Sequence, residues 1–210
     1  RFLLRLQACP NESRGVVESG LRSVFGEYGL PEAMLMDNGA PWGHDADHPY
    51  TRLTVWRIRH RIRVIHGRPY HPQTQGKEER LHRTLTAEVL SRMTGHSLGQ
   101  WQHHFDHWRS VYNHERPHEA LGMDVPAARY RPSDRAFTDE PPPIDYPKGD
   151  TVRKVDKIGR ISFQNRPVTI GKGFAAQRVG RSPTPIDGVF DVYFCHQCVK
   201  QLDLRLQLEP

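Results

Sequence analysis

An α/β core followed by a small C-terminal β-barrel is the architecture this sequence predicts. Three observations carry it. Up to about residue 130, short apolar runs alternate with segments whose apolar residues recur at steps of three and four, the period of a helix packed on one face. A proline-rich stretch comes next, with Pro141-Pro142-Pro143 and Pro147 between Pro132 and Gly149, and this composition reads as a linker. Beyond it the period falls to two, in about five short strands broken by turn residues, the pattern of a small barrel.

Taken in order, Phe2 to Leu6 is a short apolar run and a strand candidate. Cys9-Pro10-Asn11-Glu12 ends it, and Asn11 can cap the helix after it. Val16, Val17, Gly20, Leu21, Val24, Phe25 and Tyr28 predict one amphipathic helix over 12–28, which Gly29 ends and Pro31 keeps ended. The apolar run Ala33 to Met36 predicts a buried strand delivering Asp37 to its end, with Asn38-Gly39 as the turn behind it. Strand, helix and strand at this spacing predict a parallel pairing within an α/β unit. After a loop over 40–50, a short helix is expected from Thr51 to about Arg59 and a strand over 62–65. Residues 67–76 read as a loop feeding a long helix, Lys77 to about Met93, with Leu81, Leu85, Val89 and Met93 as its apolar stripe. The next helix, Leu98 to Asn113, carries Trp101, Phe105, Trp108 and Tyr112, and an aromatic stripe at this spacing reads as packing rather than a base-stacking platform. In the last part, a turn at Asp156-Lys157-Ile158-Gly159, alternation at Ile161 and Phe163, a hairpin at Asp187-Gly188 and a strand Val189 to Phe194 are expected. The predicted division is a core over 1–133, a linker over 134–149 and the barrel over 150–210.

Composition narrows the function. Lys and Arg number 30 against 24 Asp and Glu, a formal charge of +6. The excess is concentrated: positions 57, 59, 61, 63, 68, 77, 80 and 83 are Arg or Lys, against Glu78 and Glu79 alone among acids in that span. A local cationic field of this kind suits a polyanion, and a solvated basic face is the plain alternative. No run of apolar residues is long enough to span a membrane. The three cysteines, Cys9, Cys195 and Cys198, make no disulfide framework, which fits a reducing cytosol. The chain starts at Arg1, with no initiator Met or lead-in, so a piece of a longer protein is expected.

The stretch from Asp37 to Arg83 holds the candidate chemistry. One carboxylate is expected at a strand end and two, Glu78 and Glu79, in the first turn of a helix. At 100° per residue, Glu78 lies near the direction of the apolar stripe, so it points toward the core side of that turn or caps it, and Glu79 lies on the flank. Acids in a first helical turn are common for dipole reasons alone. Two carboxylates on rigid elements among cations nonetheless suit divalent metal held against a phosphodiester.

Leu35-Met36-Asp37-Asn38-Gly39, then Pro72-Gln73-Thr74-Gln75-Gly76-Lys77-Glu78-Glu79-Arg80, then Tyr112-Asn113 with Arg116-Pro117-His118 and Ala120-Leu121, resembles the integrase catalytic core of bacterial insertion-sequence transposases, relatives of retroviral integrases. The resemblance covers roughly residues 1–133, and the last part is similar, less distinctively, to a tail domain of some of these transposases. It implies a ribonuclease H-like core, a mixed sheet with flanking helices, and an Asp-Asp-Glu triad. Residue by residue, Asp37 matches the second Asp and Glu79 the Glu, 42 positions apart and wider than is usual for the superfamily. No residue here matches the first Asp, which the family's pattern places upstream of Arg1. Implied further are two Mg²⁺ or Mn²⁺ ions on those carboxylates, DNA cleavage and strand transfer, and contacts to DNA from Asn38, Gln75, Lys77, Arg80 and Arg83. With the first Asp absent, weak metal binding and no cutting or joining by these residues alone are expected. Implied partners are double-stranded DNA, as transposon ends and target, and further copies of the chain in a synaptic complex, at the nucleoid in a bacterial cytoplasm.

Other motifs yield to plainer readings. His103, His104 and His107 lack an accompanying ligand pattern and read as solvated or packed. Cys195 and Cys198 point to opposite faces of a strand, which disfavours zinc unless a turn falls there. Arg116-Pro117-His118 reads as architectural, and Arg153, Lys154, Lys157 and Arg160 suit either DNA or another subunit. Two rival functions stay open: a non-catalytic DNA-binding or assembly protein derived from a transposase, and a nuclease of the same fold.

Overall fold

A computed structural model describes residues 1–36, 39–43, 50–66, 76–92, 95, 97–164 and 166–205. The chain divides into two compact units, one of residues 1–30 and 67–137, the other of 31–66 and 138–210.

The first unit is helical. Helix α1 spans Arg14–Tyr28, α3 Gly76–Glu88, α4 Leu98–His114 and α5 Pro126–Arg129. Ser13 takes the N-cap position of α1, and its backbone N–H is held by Asn11 Oδ1 at 3.0 Å. Gly29 ends α1 at φ +78, where a Cβ would lie 2.4 Å from the Ser133 carbonyl oxygen. Helix α3 stops at Glu88, short of the predicted Met93, and Leu90–Arg92 continue it as one 3-10 turn. Ser97 and Gln100 form a reciprocal capping box that fixes the start of α4. The core is Leu85, Val89, Phe105, Trp108 and Tyr112, so the aromatic stripe of α4 is packing, as its spacing predicts. Trp108 and Tyr112 stack at 5.1 Å.

The predicted strand over Phe2 to Leu6 does not form. The apolar pattern is right, since Leu3 and Leu6 pack against the helical core. Its backbone partners are side chains of α4 instead of a strand. Asn113 accepts from the Leu3 N–H at 2.8 Å and donates to the Leu3 carbonyl at 2.9 Å. Gln102 repeats the pattern at Ala8 and Leu6, both at 3.0 Å.

The second unit contains a parallel pair, β1 (Ala33–Met36) and β2 (Arg63–His66), joined through α2 (Arg52–Arg59). A parallel pair needs such a crossover. The expected parallel unit is therefore present one element later than predicted, across α2 rather than α1. Thr51 caps α2 by accepting from the Thr54 N–H at 3.2 Å. The C-terminal strands are β3 (Thr151–Lys154), β4 (Arg160–Phe163), β5 (Arg166–Thr169), β6 (Arg178–Pro183), β7 (Val189–Phe194) and β8 (Gln197–Asp203). They form an antiparallel sheet in the order β3-β6-β7-β8 and a separate β4-β5 hairpin. Among the described residues no ladder joins the two sheets into a closed barrel.

Turn chemistry sets the strand breaks. Asp156 Oδ1 accepts from the backbone of Ile158 and Arg160 at 2.9 and 2.8 Å, and Gly159 adopts φ +88. One apolar cluster fills this unit: Met36, Val55, Ile58 and Val64 from β1-α2-β2 pack with Val155, Phe163, Phe174, Val192, Phe194 and neighbours from the C-terminal strands. The Pro-rich segment is tied to it, because Arg59 donates to the Pro142 carbonyl at 2.7 Å and the Tyr146 hydroxyl to that of Arg178 at 2.8 Å. Burial drives the Tyr146 phenol up to about 12.

Candidate metal and nucleic-acid site

Strand β1 is less buried than its apolar run predicts, since Leu35 is 47% exposed; only its last residue, Met36, is buried, and Asp37 is the next residue in the chain. Asp37, Asn38 and Gln75 themselves lie outside the described residues.

The other half of the candidate set is described. Helix α3 begins at Gly76, and Lys77, Glu78, Glu79, Arg80 and Arg83 are all exposed. Glu78 does not turn toward the core as its angle predicts. The stripe is covered only from Leu81 onward, so the first turn stands in solvent whichever way a side chain points. Glu78 sits 3.8 Å from His82, an exposed pair of little energetic weight. At 100° per residue, Lys77, Arg80 and Arg83 occupy one arc of about 120° bordered by Glu79. Among the described residues no hydrogen bond or ion pair engages the Glu79 carboxylate.

What fixes α3 is a polar bridge at its other end. Glu88 Oε2 accepts from Trp108 Nε1 at 2.7 Å and from Arg116 Nη2 at 2.6 Å. Arg116 also lies over the Trp108 ring, 5.7 Å from its centroid. The Arg116 hydrogen bond, aided by Trp108, holds the Glu88 carboxyl below its ordinary range. Arg116, in the motif read as architectural, thus ties α3 to α4.

The basic run needs one correction. Arg57 is fully buried and offers no contact to a polyanion. Its Nε reaches the Leu53 carbonyl at 3.3 Å and its guanidinium lies 5.0 Å from the Trp42 ring centroid, while Nη1 is buried without a partner. Desolvation pulls it down to about 9. Nothing in its sequence context separates it from half-buried Arg59.

Other candidates stay plain. His103, His104 and His107 are exposed along α4. A turn does fall at Cys195-His196, between β7 and β8, yet among the described residues no three His, Cys, Asp or Glu side chains are placed to share a metal ion. Missed altogether were the side-chain amides that grip distant backbone, Asn113 and Gln102 on the N-terminal segment and Gln197 on Val64. Asn113 does fall in the Tyr112-Asn113 motif, which was the available signal.

No helix among the described residues is long and apolar enough to cross a membrane. A family model for the integrase core domain matches residues 60–126, and one for the C-terminal domain of IS481 family transposases matches residues 150–209. The exposed glutamate and basic arc of α3 and the motif from Tyr112 to Leu121 fall within the first match, and strands β3 to β8 within the second. Over these two stretches the chain is similar to the integrase core of insertion-sequence transposases and to the C-terminal domain of the IS481 family.

Proposed function

We propose that Asp37 and Glu79 are two of the three carboxylates with which this transposase cuts transposon ends and joins them to target DNA. The observation that supports this most is Glu79, an exposed carboxylate without a protein partner among the described residues, in a first helical turn bordered by Lys77, Arg80 and Arg83. Hard carboxylate oxygens fit Mg²⁺ or Mn²⁺, and Asp37 with Glu79 would hold such ions. When bound, a pair of these ions supplies Lewis-acid activation of the attacking oxygen and charge relief at the leaving one. Lys77, Arg80 and Arg83 bind backbone phosphates and set the duplex against the two carboxylates. Asn38, next to Asp37 in the chain, and Gln75, next to Gly76, add contacts to DNA.

With no residue here standing for the first Asp of the triad, residues 1–210 hold metal weakly and do not join strands by themselves. Pairing of two transposon ends calls for more than one copy of the chain, acting on DNA at the bacterial nucleoid. The C-terminal strands add a second surface for DNA or another subunit. The test is strand transfer by a transposase carrying these residues together with the upstream Asp. Asp37→Asn and Glu79→Gln should each abolish metal-dependent joining while leaving DNA retention intact. Joining at the parental rate in either variant refutes the assignment, and nicked products without joined ones favour a nuclease.

A further inference from the structure

The β1-α2-β2 segment shares its apolar core with the C-terminal strands. Met36, Val55, Ile58 and Val64 are buried in one cluster with residues from beyond position 150, Phe174 and Phe194 among them. The approach is close. A Cβ on Gly173 would lie 2.4 Å from the Tyr50 carbonyl oxygen and 2.9 Å from the Thr51 carbonyl carbon, just ahead of α2. The Tyr50 and Phe174 rings sit 5.1 Å apart.

One side chain does more than pack. Gln197 opens β8, directly after the Cys195-His196 turn. Its Oε1 accepts from the Val64 N–H at 3.1 Å, and its Nε2 donates to the Val64 carbonyl at 3.4 Å. In a parallel ladder the N–H and C=O of one residue turn to the same side. Those of Val64 turn away from β1, so the primary amide of Gln197 fills the place that a third strand would take on the open edge of β2. Val64 is the register partner of Met34, and Met36 of β1 immediately precedes Asp37.

We propose that Gln197 is a positioning residue for the metal site: the C-terminal domain, through this amide, holds the two-stranded ladder that carries Asp37. The inference rests on the reading of Asp37 as a metal ligand. It makes the IS481-type C-terminal domain a structural part of the integrase core's carboxylate set as well as an appended module.

The test uses the full chain with Gln197→Leu, which keeps side-chain bulk and loses both bonds, and with Gln197→Glu, which keeps the acceptor alone. Two readouts are taken well below each variant's melting temperature: exchange of the Val64 amide, and Mn²⁺ affinity from paramagnetic broadening of the Met36 signals. Gln197→Leu should speed Val64 exchange at least tenfold and weaken Mn²⁺ binding several-fold, with Gln197→Glu between it and the parent. Unchanged Val64 exchange overturns the clamp. Faster exchange with the parent's Mn²⁺ affinity overturns the positioning role. Asp37→Asn separates the two readings: if it binds Mn²⁺ as the parent does, the ligand assignment of Asp37 fails, and Val64 exchange alone then decides the clamp.

Discussion

Replacing Asn113 with alanine should cost more stability than any surface change in the helical unit. The side chain is 3% exposed, and both its amide groups are used, at 2.8 and 2.9 Å, on the backbone of Leu3. Each such bond contributes about 0.5–1.5 kcal/mol net, and each backbone group left without a partner costs about 1–3 kcal/mol. Water reaches part of this segment, so the lower half of that range applies, and about 2–4 kcal/mol is expected in total. Gln102 and Arg109 continue to hold Leu6, Ala8 and Leu4, and Phe2 remains stacked on Tyr130 at 4.2 Å, which keeps the loss from being larger. Asn113→Asp keeps the acceptor and sets a carboxylate against the Leu3 carbonyl, so it should cost at least as much. The assay is urea unfolding followed by tryptophan fluorescence, since Trp101 and Trp108 both belong to the cluster that Leu3 covers. A change within about 0.5 kcal/mol of the parent, the range of an ordinary surface substitution, would refute the claim that side-chain amides replace a strand partner here.

Three further outcomes are expected. Arg57→Met should raise stability on the order of 1–3 kcal/mol in thermal or urea unfolding, because the buried guanidinium carries a desolvation penalty that its hydrogen bonds and the Trp42 ring only partly offset. Its folded-state value lies below the unfolded one, so the penalty is complete below about pH 9 and fades above it, and the gap between variant and parent should narrow there; a less stable variant at neutral pH would count against this. Glu88 is depressed, chiefly by its hydrogen bond from Arg116, so its contribution is present above the ordinary carboxylate range and lost as pH falls through its folded value. The melting difference between the parent and Arg116→Gln should therefore shrink in acid, and a difference that stays constant down to about pH 2 would exclude the pair as its source. Neutralising Lys77, Arg80 and Arg83 together should weaken DNA binding and flatten its log–log salt dependence by about 2–3, at roughly 0.9 for each phosphate no longer neutralised; an unchanged slope would place the DNA elsewhere.

Local rules read well in this sequence wherever the outcome is local. Strand β7 falls where the Asp187-Gly188 turn and the alternation after it put it, and Gly29 ends α1 with the positive φ that its residue type suggested. The packing role of Trp101, Phe105, Trp108 and Tyr112 followed from spacing alone. Failures come from long-range partners. Phe2 to Leu6 has strand composition, but whether an apolar run becomes a strand depends on what pairs with its backbone, and here Asn113 does so from 110 residues away. Arg57 carries the same charge in the sequence as Arg59, and only the fold decides that one is buried while the other reaches the Pro142 carbonyl. Gln197 grips Val64 across 133 residues, a pairing that no periodicity encodes. Of the candidate site, the motif order named Asp37 and Glu79, and the helix start with its basic arc was legible from Gly76 onward.

Titration of Mn²⁺ into the chain and its Asp37→Asn and Glu79→Gln variants bears most directly on the carboxylate assignment. Weak saturable binding is expected for the parent, with each substitution alone lowering affinity by about tenfold, the equivalent of 1.4 kcal/mol for one lost ligand. Equal Mn²⁺ affinity in the parent and either variant would contradict the assignment.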